Sequence, residues 1–168
     1  MSFKEIAVED LKENAFKVIG KDWLLVTGTA NGKSNAMTAS WGGLGIMWGK
    51  PVAYIFIRPQ RYTKEFVDAG QRLTLSVFGE DKRKMMSYFG TVSGRDEDKI
   101  AKAGLTPVDK GDHVYFEEAK IAMVCRKLYA QEMKPQCFID QESHDKWYPE
   151  KDYHTMYVAE IEKLLVKE

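Results

Sequence analysis

From Asp22 onward the chain alternates short apolar runs with polar turns, a pattern typical of β-strands. Strands are predicted at 22–29, 35–41, 52–57, 72–78, 119–133 and 153–166. The first three follow one another through short connections, which leave no room for the crossover helix that parallel neighbours require. The pattern therefore predicts a mainly β fold, an antiparallel barrel with helical insertions.

Apolar residues recur at helical spacing only in shorter segments of the chain. A helix is predicted near the start of the chain, where apolar residues recur at helical intervals up to Gly20: Val8, Leu11, Ala15, Phe16 and Ile19. Further helices are predicted at 63–70, 80–90 and 95–104. The polar stretch from Gln141 to Asp152 is predicted as a mobile or interface loop.

Composition narrows the class of protein. A chain of 168 residues has the usual size of a single domain, so one domain is predicted over 1–168. Its 25 basic and 25 acidic side chains cancel, so neither nucleic acid nor an acidic membrane is predicted as a partner. The first residues lack a signal-peptide layout, and Cys125 and Cys137 form no disulfide framework. We therefore expect a cytoplasmic protein.

One strand end carries two arginines directly before a predicted helix. Arg58 and Arg61 precede Thr63, which is the predicted N-cap. Free backbone N–H groups and guanidinium groups at a helix start bind phosphate well. A solvated, capped helix start explains the same pattern without a ligand.

A second segment is unusually rich in small and hydroxylated residues. The strand from Asn35 to Trp41 carries them on both faces and runs into the glycine-rich 42–45. Small side chains let a flat ring approach the backbone, where N–H and hydroxyl groups meet its polar edge. An edge strand with Trp41 in the core fits equally well. Gly43, Gly45 and Gly49 do not form a dinucleotide-binding fingerprint.

A third loop, Ser93-Gly94, precedes the helix that contains Lys99. A capped helix with a solvated lysine is the simpler interpretation of this loop alone. The sequence predicts neither a metal site nor a catalytic nucleophile. His113, His144 and His154 are well separated, and no HExxH motif is present.

Together these loops resemble a known family. Segments 35–63 and 93–107, followed by 119–131 and 147–164, are similar to the flavin reductase-like, FMN-binding split-barrel family. The resemblance implies an antiparallel Greek-key split β-barrel that binds FMN. It also implies a homodimer whose flavin lies near the subunit interface, and the four tryptophans, at Trp23, Trp41, Trp48 and Trp147, are more than one small core readily holds.

The resemblance assigns cofactor roles residue by residue. The residues expected to line the isoalloxazine ring and ribityl chain are Asn35, Met37, Thr38, Ala39, Ser40 and Trp41. Arg58, Arg61 and Thr63 fall at phosphate-binding positions. The loop and helix that approach the flavin correspond to Ser93, Gly94 and Lys99.

One histidine has two possible roles. Gly111-Asp112-His113 looks like the GDH motif of the shorter flavin reductases, but it precedes the wrong strand. His154 is the positional equivalent, and Asp152 and Tyr153 replace the Gly and Asp of that motif. A nicotinamide-site residue and a structural histidine both fit.

The resemblance implies an oxidoreductase whose chemistry is carried by the flavin, so that no catalytic side chain is required. The leading hypothesis is an NAD(P)H-dependent flavin reductase in which NADH or NADPH passes hydride to N5 of FMN, and Lys99 stabilises the reduced ring. The alternative is a flavoredoxin-like electron-transfer flavoprotein that is reduced by a redox protein partner. A third hypothesis is a barrel that has lost flavin binding.

Overall fold

A computed structural model describes residues 2–168, which form mainly antiparallel strands. The strands are β1 (Phe3–Ile6), β2 (Leu24–Ala30), β3 (Lys33–Ala39), β4 (Gly42–Met47), β5 (Lys50–Ile57), β6 (Arg72–Val77), β7 (Pro107–Asp109), β8 (Val114–Phe116), β9 (Ile121–Glu132) and β10 (Thr155–Lys167). The helices are α1 (Ala15–Lys17), α2 (Thr63–Ala69), α3 (Arg83–Thr91), α4 (Lys99–Lys102) and α5 (Gln141–Trp147). Within the described residues, none of these helices has the length and apolar character needed to cross a membrane.

The main sheet has eight strands and curls on itself. Its order is β3-β2-β6-β9-β10-β5-β4, and β1 adds to β10. The two ends of this order, β3 and β4, are joined in the chain by only Ser40 and Trp41. So short a connection brings the two edges of the sheet close together without pairing them. The predicted fold class, mainly β with an antiparallel Greek-key split barrel, is confirmed.

The barrel interior follows the two-residue period of its strands. In β6, for example, Leu73, Leu75 and Val77 all face the same buried cluster. A second apolar cluster lies between the sheet and the helical insertions, and it includes Leu25 of β2 with Met86 and Phe89 of α3. Residues of β2 contribute to both clusters, Val26 to the first and Leu25 to the second. Helix α3 packs beside the edge strand β3.

The strands predicted from alternation are present, but the start of the chain differs from its prediction. Phe3–Ile6 is a strand that pairs with the end of β10. A single 3-10 turn at Val8–Asp10 follows, and helix forms only from Ala15, continuing as a π-helix over Val18–Asp22. The amphipathic helix prediction is therefore wrong in its first half, where a single 3-10 turn and irregular backbone precede the helix, and the strand Phe3–Ile6 before it was not predicted.

Three other segments also depart from the predictions. Gly42–Met47 forms β4 along β5, although its glycines mask the strand pattern. The stretch predicted as a loop at 141–152 begins with the helix α5. A short hairpin of β7 and β8 was not predicted either. Its strands have only three residues each, too few for alternation to be recognised.

Candidate functional site

Two cavities adjoin at Arg61, beside the gap between β3 and β4. The first, here called the split cavity, has a volume of about 220 Å³ and is lined by Met37, Thr38, Ala39, Ser40, Trp41, Phe56, Arg58, Arg61, Trp147 and His154. The second, the polar cavity, has a volume of about 180 Å³ and is lined by Asn35, Gln60, Arg61, Tyr62, Thr63, Thr91, Val92, Ser93, Gly94 and Lys99. All the site residues predicted from sequence line one cavity or the other.

The edge strand β3 forms one wall of the split cavity. Among the described strands it pairs only with β2, so the backbone groups on its other edge have no strand partner. Met37 and Ala39 belong to the barrel core, while the Thr38 hydroxyl donates to the Met86 carbonyl in α3. The small side chains of this strand thus leave its backbone edge accessible to a flat polar ligand.

The polar cavity holds two cations that no carboxylate neutralises. Lys99 is 3% exposed, and its Nζ donates to the Phe89 carbonyl at 3.2 Å. Arg61 donates to the Phe89 and Gly90 carbonyls at 3.2 and 2.8 Å. Within residues 2–168 neither side chain forms a salt bridge. Two such charges favour an anionic ligand.

Burial shifts the pKa values of both cations. Burial, with a smaller contribution from Arg61, lowers the pKa of Lys99 to about 8. Burial also lowers the pKa of the Arg61 guanidinium. The solvated-lysine interpretation of the 93–99 loop is therefore wrong, because the start of α4 packs inward and carries Lys99 below the surface.

Thr63 contributes to the polar cavity in a way the sequence did not predict. The N-cap of α2 is Tyr62, without a side-chain cap, and Thr63 is the first helical residue. The Thr63 hydroxyl instead accepts a hydrogen bond of 2.7 Å from the Asn35 amide. The predicted capping role is thus wrong, since the side chain points into the protein toward β3.

Gly94 is required for the close approach of its loop. A Cβ atom at this position would lie 1.9 Å from Oδ1 of Asn35 and 3.0 Å from the Tyr62 ring. Ser93 is engaged by its own loop, because its hydroxyl accepts from the Arg95 N–H at 3.1 Å. The loop therefore closes the polar cavity through backbone packing.

Arg58 lines the split cavity with Arg61 but does not line the polar cavity at the start of α2. Its Nη1 forms an ion pair of 2.8 Å with Asp152, and its Nη2 donates to the Trp147 carbonyl at 2.9 Å. Its guanidinium lies 5.0 Å from the centroid of the Tyr148 ring. Both arginines line the split cavity, but only Arg61 also lines the polar cavity, because Asp152 in the segment after α5 supplies Arg58 with its own carboxylate.

His154 lies in the wall of the split cavity and is 8% exposed. Its Nδ1 is 2.7 Å from the Tyr148 hydroxyl, and its ring centroid is 5.3 Å from that of Trp41. Burial, and next the charge of Arg58, lowers the pKa of His154 to about 4. The imidazole is therefore neutral at pH 7. His113, by contrast, lines neither cavity and contacts Asp112.

Sequence reasoning missed two walls of the split cavity. Trp147 at the end of α5 packs edge-to-face against Trp41, with ring centroids 4.9 Å apart. Phe56 of β5 completes the lining. An aromatic residue within a polar stretch was the only signal for Trp147, while Phe56 looks like any other strand residue.

An antiparallel split barrel with a cavity at its split and a cationic cavity beside it is the architecture of a class of flavin proteins. The flavin reductase-like domain family matches residues 19–168, which is most of the chain. The chain belongs to the flavin reductase-like family. None of the curated proteins matches it.

Solved structures share the fold at low sequence identity. Flavoredoxin of Desulfovibrio vulgaris (Miyazaki F) has a TM-score of 0.68 and 24% identity, over 87% of this chain and 69% of its own. Flavoredoxin from Methanosarcina acetivorans has a TM-score of 0.70 and 17% identity, over 88% and 69% of the two chains. The styrene monooxygenase flavin reductase from Pseudomonas putida S12 has a TM-score of 0.63 and 14% identity, over 88% and 80%. These likenesses establish the fold.

We expect the pKa of Lys99, lowered to about 8 by burial, to rise when an anion enters the polar cavity. A divalent anion such as sulfate favours the charged ammonium, so its affinity should fall as the pH increases through this value. Carbon-13 NMR titration of labelled lysine, with and without sulfate, measures the shift, and Lys99→Met assigns the signal. A Lys99 pKa that sulfate leaves unchanged would contradict an anion site here.

Proposed function

We propose that this protein is an FMN-binding oxidoreductase that holds the isoalloxazine ring in the split cavity and the phosphate in the polar cavity. The observation that carries this proposal is the junction of the two cavities at Arg61. One cavity offers a strand edge and aromatic walls, and the other offers two unneutralised cations. A molecule with a flat ring at one end and a phosphate at the other fits this division.

The residues present suit each part of FMN. The free edge of β3 offers N–H and C=O groups to the pyrimidine edge of the ring. Lys99 and Arg61 suit the phosphate dianion. Asn35 of β3 and Thr63, the first residue of α2, are hydrogen-bonded to each other and line the polar cavity together with Gly94. Arg58, neutralised by Asp152, is assigned to the ring end of the site.

Support for an NAD(P)H-dependent reductase comes from the part of the split cavity around His154, where Arg58 is paired with Asp152 and the imidazole is neutral. FMN held here would supply the redox chemistry, with N5 as the hydride-accepting atom. The chain provides Trp41 and Trp147 as aromatic walls, and both remain partly exposed, with 39% and 44% of their surface accessible. A nicotinamide ring, flat and uncharged in its reduced form, suits such an entrance. Lys99 lines the polar cavity, which is proposed to hold the phosphate. Stabilisation of the reduced ring is therefore not assigned to it.

The experiment that tests this function starts from the visible absorption spectrum of purified protein. We expect bound or reconstituted FMN, and anaerobic stopped-flow mixing with NADH or NADPH is expected to bleach the flavin absorbance. Flavin that binds but stays oxidised with both nucleotides would contradict the reductase. Colourless protein that cannot be reconstituted with FMN would contradict the flavin site itself.

A second candidate is an electron-transfer flavoprotein reduced by a redox protein. Trp41 and Trp147 favour it, because exposed aromatic side chains at the mouth of the split cavity suit contact with another protein. The replacement of the Gly and Asp before His154 by Asp152 and Tyr153 points the same way. FMN that is reduced by a partner such as a ferredoxin, but by neither nicotinamide, would favour this candidate.

Arg61→Ala is expected to weaken FMN binding by about tenfold or more, since a charge-assisted hydrogen bond contributes about 1.5–3 kcal/mol. Fluorescence titration measures the affinity. Because Arg61 also holds the Phe89 and Gly90 carbonyls, thermal unfolding of the same variant separates folding from binding. Arg83→Ala is the matched control, since Arg83 stacks on Trp23 and lines neither cavity. Equal affinities of the two variants would contradict the assignment.

We also propose that the protein forms a homodimer with each flavin site near the interface. The support comes from large apolar side chains that the monomer leaves exposed around the β4–β5 hairpin. Ile46 and Trp48 are 71% and 56% exposed. A symmetric pair would bury this surface twice and give equivalent sites.

Size exclusion with light scattering is expected to give the mass of two chains, with and without FMN. Ile46→Lys should shift the mass toward one chain, because burying an unpaired ammonium at an interface is unfavourable. A wild-type protein that is monomeric in both runs would contradict the dimer.

A further inference from the structure

The imidazole of His154 has one nitrogen engaged and one free for a ligand. Nδ1 is 2.7 Å from the Tyr148 hydroxyl. Nε2 makes no hydrogen bond within residues 2–168, and the residue lines the split cavity. Because only 8% of the surface of His154 is exposed, a ligand in that cavity is the available partner for Nε2.

The position of the histidine proton depends on the direction of the hydrogen bond between Tyr148 and Nδ1. A neutral imidazole carries a single N–H, and a tyrosine carries a single O–H. The Tyr148 hydroxyl reaches two acceptors, Nδ1 of His154 at 2.7 Å and the Met133 sulfur at 3.7 Å. A thioether is a weak acceptor compared with an imidazole nitrogen, and it is also the more distant one here. Nδ1 is thus the better of the two acceptors, and donation from Tyr148 to it would leave the N–H on Nε2.

We infer that Tyr148 is a positioning residue that holds His154 as the neutral Nε2–H tautomer, so that the split cavity presents a fixed N–H donor to a carbonyl oxygen of its ligand. The identity of that ligand rests on the proposed function, under which the carboxamide of the hydride donor is the carbonyl group. The tautomer itself is independent of that function.

Tyr148 is held firmly enough to set this tautomer. Its backbone N–H donates to the His144 carbonyl at 2.9 Å, which anchors it to the end of α5. The Arg58 guanidinium covers its ring at 5.0 Å. The rings of Phe138 and Tyr153 lie 5.5 and 5.2 Å from it. These contacts hold the hydroxyl of Tyr148 next to Nδ1 of His154.

The charges around this pair also keep both groups neutral. Arg58 at the end of β5 and Asp152 in the segment before β10 are the charged groups that act on His154, and they form an ion pair with each other. Trp41 faces the imidazole from the β3–β4 connection without a charge. Burial raises the pKa of Tyr148, so its hydroxyl remains a donor.

Nitrogen-15 NMR of labelled histidine tests the tautomer, because a protonated ring nitrogen and a bare one differ in chemical shift. We expect His154 to carry its proton on Nε2, with or without FMN, and to lose this preference in Tyr148→Phe. Tyr153→Phe is the matched control: it removes a hydroxyl from the same aromatic cluster, one bonded to His144 at 2.9 Å and not to His154. A wild-type proton on Nδ1, or a Tyr148→Phe variant with an unchanged tautomer, would overturn the inference.

Steady-state kinetics on FMN-loaded protein tests the consequence. Tyr148→Phe is expected to raise KM for the nicotinamide several-fold with FMN affinity unchanged, whereas Tyr153→Phe leaves both near wild type. His154→Gln, whose amide can replace the Nε2–H, should retain more activity than His154→Leu. Wild-type protein that shows the expected tautomer but no nicotinamide activity would contradict the reductase function and leave the positioning role intact. Equal KM values for the two tyrosine variants would refute the role in substrate binding.

Discussion

The two-residue connection between β3 and β4 is the constraint on which the rest of the site depends. These strands lie at opposite ends of the sheet order, so a link of Ser40 and Trp41 forces the sheet to curl until its edges almost meet. The unpaired backbone of β3 is thereby turned toward a cavity instead of bulk solvent. Had the link been long, the sheet could have remained open and the strand edge would have been a surface for aggregation.

Charge is divided unequally along the site. At one end Lys99 and Arg61 are partly desolvated and have only carbonyl partners, so an anion relieves their cost of burial. At the other end Arg58 is neutralised by Asp152, and His154 is kept neutral by burial. Arginine is thus neutralised at position 58 and bonded only to carbonyl groups at position 61, and the difference lies in whether a carboxylate is within reach.

Helix α5 and the residues that follow it, 141–152, explain why the part of the split cavity around Arg58 and His154 is neutral. This segment was expected to be a loop, yet it supplies Trp147, Tyr148 and Asp152 to one side of the split cavity. Through them it provides an aromatic wall, a hydrogen-bond partner for His154 and the counter-ion of Arg58. Because α5 and the residues after it lie outside the barrel strands, they shape the split cavity without being part of the barrel.

Six of the barrel strands, β2, β3, β5, β6, β9 and β10, and most residues lining the two cavities that were named in advance followed from the sequence alone, because alternation and short contiguous motifs are local properties. Asn35 to Trp41 could be assigned to one site for this reason. Only the tertiary structure decided the roles within the site. Arg58 and Asp152 are 94 positions apart, and Asn35 and Thr63 are 28 apart, so neither pairing leaves a local signal. The pairing of β1 with β10 and the burial of Lys99 were likewise set by distant partners, since the free energy of a buried group depends on what the fold places around it.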